Sequence, residues 1–199
     1  MKITSIKQQI KRTDRYSIFV DDKYAFSLSE TALLDSKLFS GQELSAAKVR
    51  EFKKLSGEDK LYNQALRYVA LRLRSRWEVE QYLSRKQASP ALIEQLLNKL
   101  SNIGMIDDEK FAEAFVSNRR LLRPTPRRKI IAELRQKHVA GEVIERIVGN
   151  DSSDEQAALL AVIERKRRQT KYQDDLKLMQ YLARQGFGYS DIKSALNKP

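Results

Sequence analysis

The feature that most constrains this chain is a spacing of apolar residues that occurs three times. Val79, Leu83, Ile93 and Leu97 follow one another at intervals of 4, 10 and 4; Ile130, Leu134, Ile144 and Val148 repeat the spacing, and so do Leu178, Leu182, Ile192 and Leu196, at offsets of 51 and 48 residues. With 41% of residues apolar, a given register matches eight further positions by chance about once in a thousand trials. Several registers can be tried, so independent support is needed, and helix-start signals supply it. Ser75-Arg76-Trp77-Glu78 has the form of a capping box, in which the serine side chain accepts from the N3 amide and the glutamate reaches back to the cap amide. Ser89-Pro90 and Thr125-Pro126 each place a hydroxyl N-cap before a proline at the first helical position, where its missing donor costs nothing. Asp107-Asp108-Glu109 and Ser153-Asp154-Glu155 put carboxylates at the positive end of a new helix, and Gly104, Gly141, Gly149 and Gly186 lie near expected ends. Leu61, Tyr62, Ala65, Leu66, Val69, Ala70 and Leu73 mark one face of a further helix. The pattern predicts about nine helices after residue 58, grouped in threes, each group having a first helix, a basic corner, a second helix ending near Arg85, Lys137 or Gln185, and a short third helix. Units with so few apolar positions cannot bury their faces alone and must stack on neighbours.

Residues 1–30 have a different texture. Ile3, Ile6 and Ile10 punctuate a polar stretch, while Tyr16, Ile18 and Val20, then Tyr24, Phe26 and Leu28, alternate with their neighbours, which predicts three short strands with a turn at Asp21-Asp22-Lys23. Ser29-Glu30-Thr31 reads as a helix start leading through Ala32, Leu33, Leu34 and Leu38 to a stop at Gly41, and another helix is expected after Ser45 with Val49, Phe52 and Leu55 on its inner face. The expected fold is therefore mainly α: three tandem three-helix repeats (58–105, 106–150 and 151–199) forming an elongated curved array, preceded by a small N-terminal extension (1–57) of strands and helices.

Composition narrows the chemistry. With no cysteine and one histidine, His138, the chain has no disulfide framework, no thiol chemistry and no Cys-containing zinc site. His138 has no Ser, Asp or Glu pairing that stands out as a triad and reads as a C-terminal helix residue near the last carbonyls. The carboxylate pairs Asp21-Asp22, Asp107-Asp108 and Asp174-Asp175 read as a turn and two helix N-termini rather than as a metal site, so no metal, cofactor or catalytic residue is expected and the chain is read as a non-enzyme. The longest apolar run, Ala157 to Ile163, is far short of the roughly 20 residues that span a bilayer. The N-terminus lacks a signal-peptide core, so a soluble, cytoplasmic protein without membrane association is expected.

What remains is charge. Lys and Arg number 38 against 26 Asp and Glu, a net +12, and the excess is spread along the chain instead of forming a tail. Its arginines gather at the corners between first and second helices: Arg72, Arg74 and Arg76 at the first; Arg123, Arg127 and Arg128 at the second; Arg165, Arg167 and Arg168 at the third. A basic cluster on one helix is ordinarily a solvated face, whereas recurrence at equivalent corners would also build a stripe suited to phosphate or carboxylate. These nine arginines are the candidate binding residues. The aromatic residues mostly occupy helix-face positions and read as core, with Trp77 and Tyr172, beside basic corners, the two candidates for stacking on a base.

Particular strings resemble a known family. Asp107-Asp108-Glu109-Lys110-Phe111-Ala112-Glu113-Ala114-Phe115-Val116, ending in Arg119, is similar to the middle unit of the RecX family, regulators of the RecA recombinase. Tyr181-Leu182-Ala183-Arg184-Gln185-Gly186-Phe187 followed by Ile192 resembles its third unit. Arg15-Tyr16-Ser17-Ile18-Phe19-Val20-Asp21, with Tyr24-Ala25-Phe26-Ser27-Leu28, resembles the N-terminal extension of its longer members. The chain departs from the pattern at Gln185, where a second arginine usually precedes Gly-Phe, at His138, where a glycine usually ends the helix, and at Thr125, where a glycine often opens one. The resemblance implies a regulator, mainly an inhibitor, that lies in the groove of the RecA–DNA filament and restrains ATP hydrolysis, strand exchange and coprotease activity, within DNA recombination, repair and the SOS response. It implies RecA as partner, with single- and double-stranded DNA as further partners, and a monomer suits such a groove. The alternative that charge alone supports is a direct DNA-binding protein acting through phosphate contacts.

Overall fold

The computed structural model describes residues 1–149 and 152–197. Strands β1 (Ile3–Gln8), β2 (Arg15–Val20) and β3 (Lys23–Ser29) form an antiparallel meander in chain order. Val20 pairs with Lys23, and the two residues between them, Asp21 and Asp22, both have left-handed φ (48° and 62°), the backbone twist a two-residue hairpin requires. Ile6 pairs with Ile18 and Ile18 with Phe26, which gathers Ile3, Ile18, Val20, Phe26 and Leu28 into a buried core. Ile10 lies outside β1 and is 98% exposed, so Ile3 and Ile6 alone carry the apolar pattern of the first strand.

Helix α1 (Glu30–Ser36) begins as expected, with Ser29 Oγ accepting from the Ala32 N–H at 3.2 Å. It stops earlier than Gly41: Lys37 takes a left-handed φ of 49° and its N–H turns back to the Leu34 carbonyl. Helix α2 (Ala46–Ala70) is capped by Ser45, whose Oγ accepts from Lys48, and the two helices expected on either side of residue 57 are one. Gly57 alone costs a helix only about 1 kcal/mol, and no proline or cap accompanies it. The Phe26 and Phe52 rings stack at 5.6 Å, and Arg15 of β2 meets Asp59 of α2 at 2.9 Å with both side chains buried. Asp59 also accepts from the Ser29 N–H and hydroxyl, and Arg15 donates to the Ser27 carbonyl, so the pair is satisfied by hydrogen bonds on both sides.

Beyond α2 run α3 (Arg76–Arg85), α4 (Pro90–Asn102), α5 (Asp108–Leu122), α6 (Arg127–Gln136), α7 (Gly141–Val148), α8 (Ser152–Arg167), a 3-10 turn at Thr170–Tyr172, α9 (Asp175–Gln185) and α10 (Tyr189–Leu196). With the C-terminal part of α2 these are nine helices after residue 58 among the described residues. Of the twelve positions in the recurring pattern ten are buried, Ile93 and Leu196 being partly so. Phe111, Ile130, Leu134, Val139, Ile144 and Val148 form the core of α5–α7; Leu159, Val162, Leu178, Leu182, Phe187 and Ile192 form that of α8–α10. The boundary expected at 150/151 lies outside the described residues, as do the side chains of Ser153 and Asp154 expected at the start of α8. The chain divides into two compact bodies, one of residues 1–71 with 80–100, the other of residues 72–79 with those from 101 onward. No helix among the described residues is long and apolar enough to cross a membrane.

Candidate functional site

The capping box at the first corner forms as its sequence dictates: Glu78 N–H donates to Ser75 Oγ at 3.2 Å and Ser75 N–H to Glu78 Oε2 at 3.4 Å. The glutamate does more than cap. Its buried carboxylate accepts both terminal nitrogens of Arg72, at 3.1 and 3.3 Å, and Lys137 Nζ at 2.8 Å. Burial pushes the Glu78 carboxyl up, but the hydrogen bonds and charges of Arg72 and Lys137 outweigh it and hold the group below its ordinary value. Next to it Trp77 stacks on His138, ring centroids 4.9 Å apart and planes within 15°. His138 occupies the left-handed position that ends α6 (φ 56°), a conformation glycine adopts without cost, and its backbone N–H reaches the Arg135 carbonyl while its ring covers Trp77.

Two helix N-termini are capped from a distance. The Arg76 N–H, opening α3, donates to Asp108 at the start of α5 (2.7 Å); the Arg127 N–H, opening α6, donates to Glu155 near the start of α8 (2.7 Å). In each case the first helix of one triplet caps the second helix of the triplet before it. Thr125 therefore does not cap α6. Pro126 takes the N-cap position, and the Thr125 hydroxyl donates to the Arg123 carbonyl, because the glutamate already fills the place of the threonine oxygen. Glu155 also accepts both terminal nitrogens of Arg120 at 3.3 Å, and Arg120 donates to the Thr125 carbonyl. Asp108 is desolvated by burial, which outweighs the Arg76 N–H and raises its carboxyl above the ordinary range. Asp107, N-cap of α5, is held low by the Lys110 N–H, and Asp174, N-cap of α9, by the Lys177 N–H. The carboxylate pairs thus divide their work, one member capping its own helix and the other, Asp108 or Asp175, bonding elsewhere.

These contacts sort the nine candidate arginines. Arg72 is held by Glu78; Arg74 and Arg76 are half-buried and partnered within the chain. Arg127 lies 3.9 Å from Glu145, Arg168 bonds Glu164 one turn away at 2.9 Å, and Arg167 clasps the third corner through the Tyr172 and Gln173 carbonyls and the Asp175 carboxylate. Arg123, Arg128 and Arg165 are exposed, and their guanidinium groups have no partner among the described residues. The aromatic candidates are also engaged: Trp77 by His138, and Tyr172 by Tyr181 at 5.1 Å, with Lys166 over both rings.

In the register of the repeats Arg128 stands where Trp77 does and Gly186 where His138 does, so the aromatic stack of one junction has no counterpart in the other. There a cleft of about 620 Å3 opens between α6, α8 and α10, lined by Arg127, Arg128, Glu155, Gly186, Ser190 and Asp191. The distant caps carry no signal in local sequence, because Asp108 and Glu155 each read equally well as ordinary first-turn acids of their own helices.

Comparison with known proteins gives four matches in chain order. Residues 1–45 match the regulatory protein RecX N-terminal domain, residues 62–100 the first three-helix domain of RecX, residues 107–146 the second and residues 153–196 the third. The chain is 32% identical to the regulatory protein RecX of Listeria monocytogenes serovar 1/2a over 98% of its length and 74% of that protein. It is 30% identical to the regulatory protein RecX of Bacillus subtilis strain 168, over 98% and 76% respectively. Among solved structures, a crystal structure of regulatory protein RecX superposes with a TM-score of 0.79 at 25% identity, covering 99% of both chains. That of RecX from Lactobacillus salivarius superposes with a TM-score of 0.63 at 24% identity, covering 70% of this chain and 94% of the other, and speaks for the fold alone.

Proposed function

The chain belongs to the RecX family of regulatory proteins, and from that membership we propose that it regulates the RecA recombinase, binding as a monomer in the groove of the RecA–DNA filament and restraining ATP hydrolysis, strand exchange and coprotease activity. The observation that carries this reading is the match of all four family domains, in order, along nearly the whole chain. In this reading the extension 1–57 and the repeats 58–105, 106–150 and 151–199 act as successive contact modules, without catalysis and without a cofactor, in the cytoplasm. The nine corner arginines are the binding residues proposed for filament and DNA, with Arg123, Arg128 and Arg165 the ones whose charge is not met among the described residues. Titration of purified protein into preformed RecA filaments on single-stranded DNA tests the proposal: ATP hydrolysis falls as the protein approaches stoichiometry, and an unchanged rate there refutes it.

A second reading, direct binding to DNA phosphate, is favoured by those three exposed guanidiniums. It predicts affinity for free DNA falling with salt at a log–log slope of about 0.7 per phosphate neutralised on single strands and about 0.9 on duplex. A flat salt response excludes it.

A further inference from the structure

Leu71 and Leu122 stand at equivalent positions in the first two repeats, 51 residues apart, each immediately before an arginine of the corner, Arg72 or Arg123. Leu71 is 80% exposed and Leu122 is 74% exposed. Neither stabilises the fold by burial, yet both occur beside the arginines of a basic corner. Beside Leu122, Leu121 is as exposed as Leu71, and with Val116 and Ile147 it forms the apolar part of a shallow depression of about 520 Å3 between α5 and α7, whose other lining residues are Glu113, Ser117 and Arg120. In the third repeat the equivalent pair is Thr170-Lys171, which keeps the cation and loses the leucine.

Resting on the reading of the chain as a filament regulator, we infer that Leu71 and Leu122 dock on the protein of the filament, each leucine entering an apolar socket, with a carboxylate beside the second socket meeting Arg123. Phosphate offers a leucine nothing to bury against, since it is strongly hydrated and presents oxygen alone. A protein surface offers both halves of the match, apolar contact for each leucine and, at the second corner, a carboxylate for Arg123. The Glu78 carboxylate adds to this by holding Arg72 to the chain, which leaves Leu71 the more prominent feature of the first corner.

Leu71→Ser, Leu122→Ser and the double variant test the inference against Leu34→Ser, another exposed leucine, in the N-terminal extension. Binding to RecA filaments on single-stranded DNA and to the same DNA without RecA is measured at two salt concentrations. Loss of a leucine that becomes buried on binding weakens filament affinity about tenfold or more. The expected result is that loss in each single variant, a larger one in the double, a similar ratio at both salt concentrations, and unchanged affinity for free DNA; Leu34→Ser matches the parent throughout. Melting curves of all variants stay with the parent, because the leucines are exposed. Unchanged filament affinity in the double variant overturns the inference, and so does an equal loss on free DNA, which would assign the leucines to base steps as wedges. If the parent protein itself leaves RecA unaffected, the regulator reading fails, and this inference with it; if the parent acts and the double variant acts equally, only the inference fails.

Discussion

Glu155 is the residue whose removal tests the junction most directly. Its carboxylate accepts the N–H that opens α6 and both terminal nitrogens of Arg120, and the two charged side chains are 15% and 13% exposed. Breaking a buried pair by removing one partner costs about 3–5 kcal/mol, and loss of a helix cap about 1 kcal/mol. Arg120 keeps its bond to the Thr125 carbonyl and some solvent, which places Glu155→Ala near the lower end, at about 3 kcal/mol. For a chain of this length that corresponds to a fall in Tm of about 6–12 °C. Glu155→Gln retains an acceptor for the Arg127 N–H and loses only the charge, so about half the effect is expected. Adding Arg120→Met to Glu155→Ala costs less than the two single replacements together, because the interaction between the two side chains is then lost once instead of twice. Urea unfolding followed by circular dichroism and by the fluorescence of the single tryptophan supplies the four free energies of the cycle. A change below about 0.5 kcal/mol in Glu155→Ala, or additivity in the cycle, refutes the view that this carboxylate joins the second and third triplets.

Three further outcomes follow from the same reasoning. Asp59→Ala strands the buried Arg15 and lowers stability by about 3–5 kcal/mol in urea unfolding, with the sheet-and-α2 body the first to open. The Glu78 carboxyl is held below its ordinary value in the folded state, so its contribution is complete above about pH 4.3 and is lost as pH falls through the lowered folded value; Glu78→Gln flattens that part of the acid limb in unfolding measured from pH 6 to pH 3. Asp108 is raised instead, so the folded state holds its proton longer and ionisation reduces stability as pH rises past about 3.9; Asp108→Asn keeps an acceptor for the Arg76 N–H and equals or exceeds the parent at pH 7, an advantage that disappears on acidification.

Features that depend on a few neighbouring residues were legible in the chain. Ser29, Ser45, Ser75 and Asp107 all cap where their spacing says they should, since a cap is a bond between residues two or three apart. The 4, 10, 4 spacing found the buried faces because helical burial is periodic. Reading failed where a distant group supplied what a local one would have supplied. Thr125 had every property of an N-cap, and Glu155, 30 residues on, displaced it. The helix expected after Ser45 and the one marked by Leu61 to Leu73 read as separate only because nothing local showed that α2 lies on β3 and is held there by Asp59. The arginine corners were the hardest case: composition finds the cations, but their partners stand 6 residues away for Arg72, 8 for Arg167 and 35 for Arg120, and only the fold shows which charges are already met.

That sorting changes how the basic corners are to be tested. A net charge of +12 suggests that any corner arginine serves equally well as a probe of phosphate contact, and charge reversal at Arg127 and Arg128 together follows naturally from sequence. Arg127, however, faces Glu145, and its N–H is bonded to Glu155, so a glutamate there would meet two carboxylates and disturb α6 whether or not DNA binds. Arg72 and Arg167 are likewise parts of their corners, and replacing them alters the scaffold along with the charge. Arg123, Arg128 and Arg165 are the informative positions, because removing their exposed guanidiniums leaves the contacts among the described residues intact. If they contact phosphate, each replacement by serine lowers the salt slope of free-DNA binding by about one while the melting curve stays with the parent. Replacing Arg167 lowers the melting temperature as well, since the third corner loses its clasp. Equal slopes for the parent and the Arg123, Arg128 and Arg165 variants would mean that these cations of the second and third corners do not contact DNA phosphate.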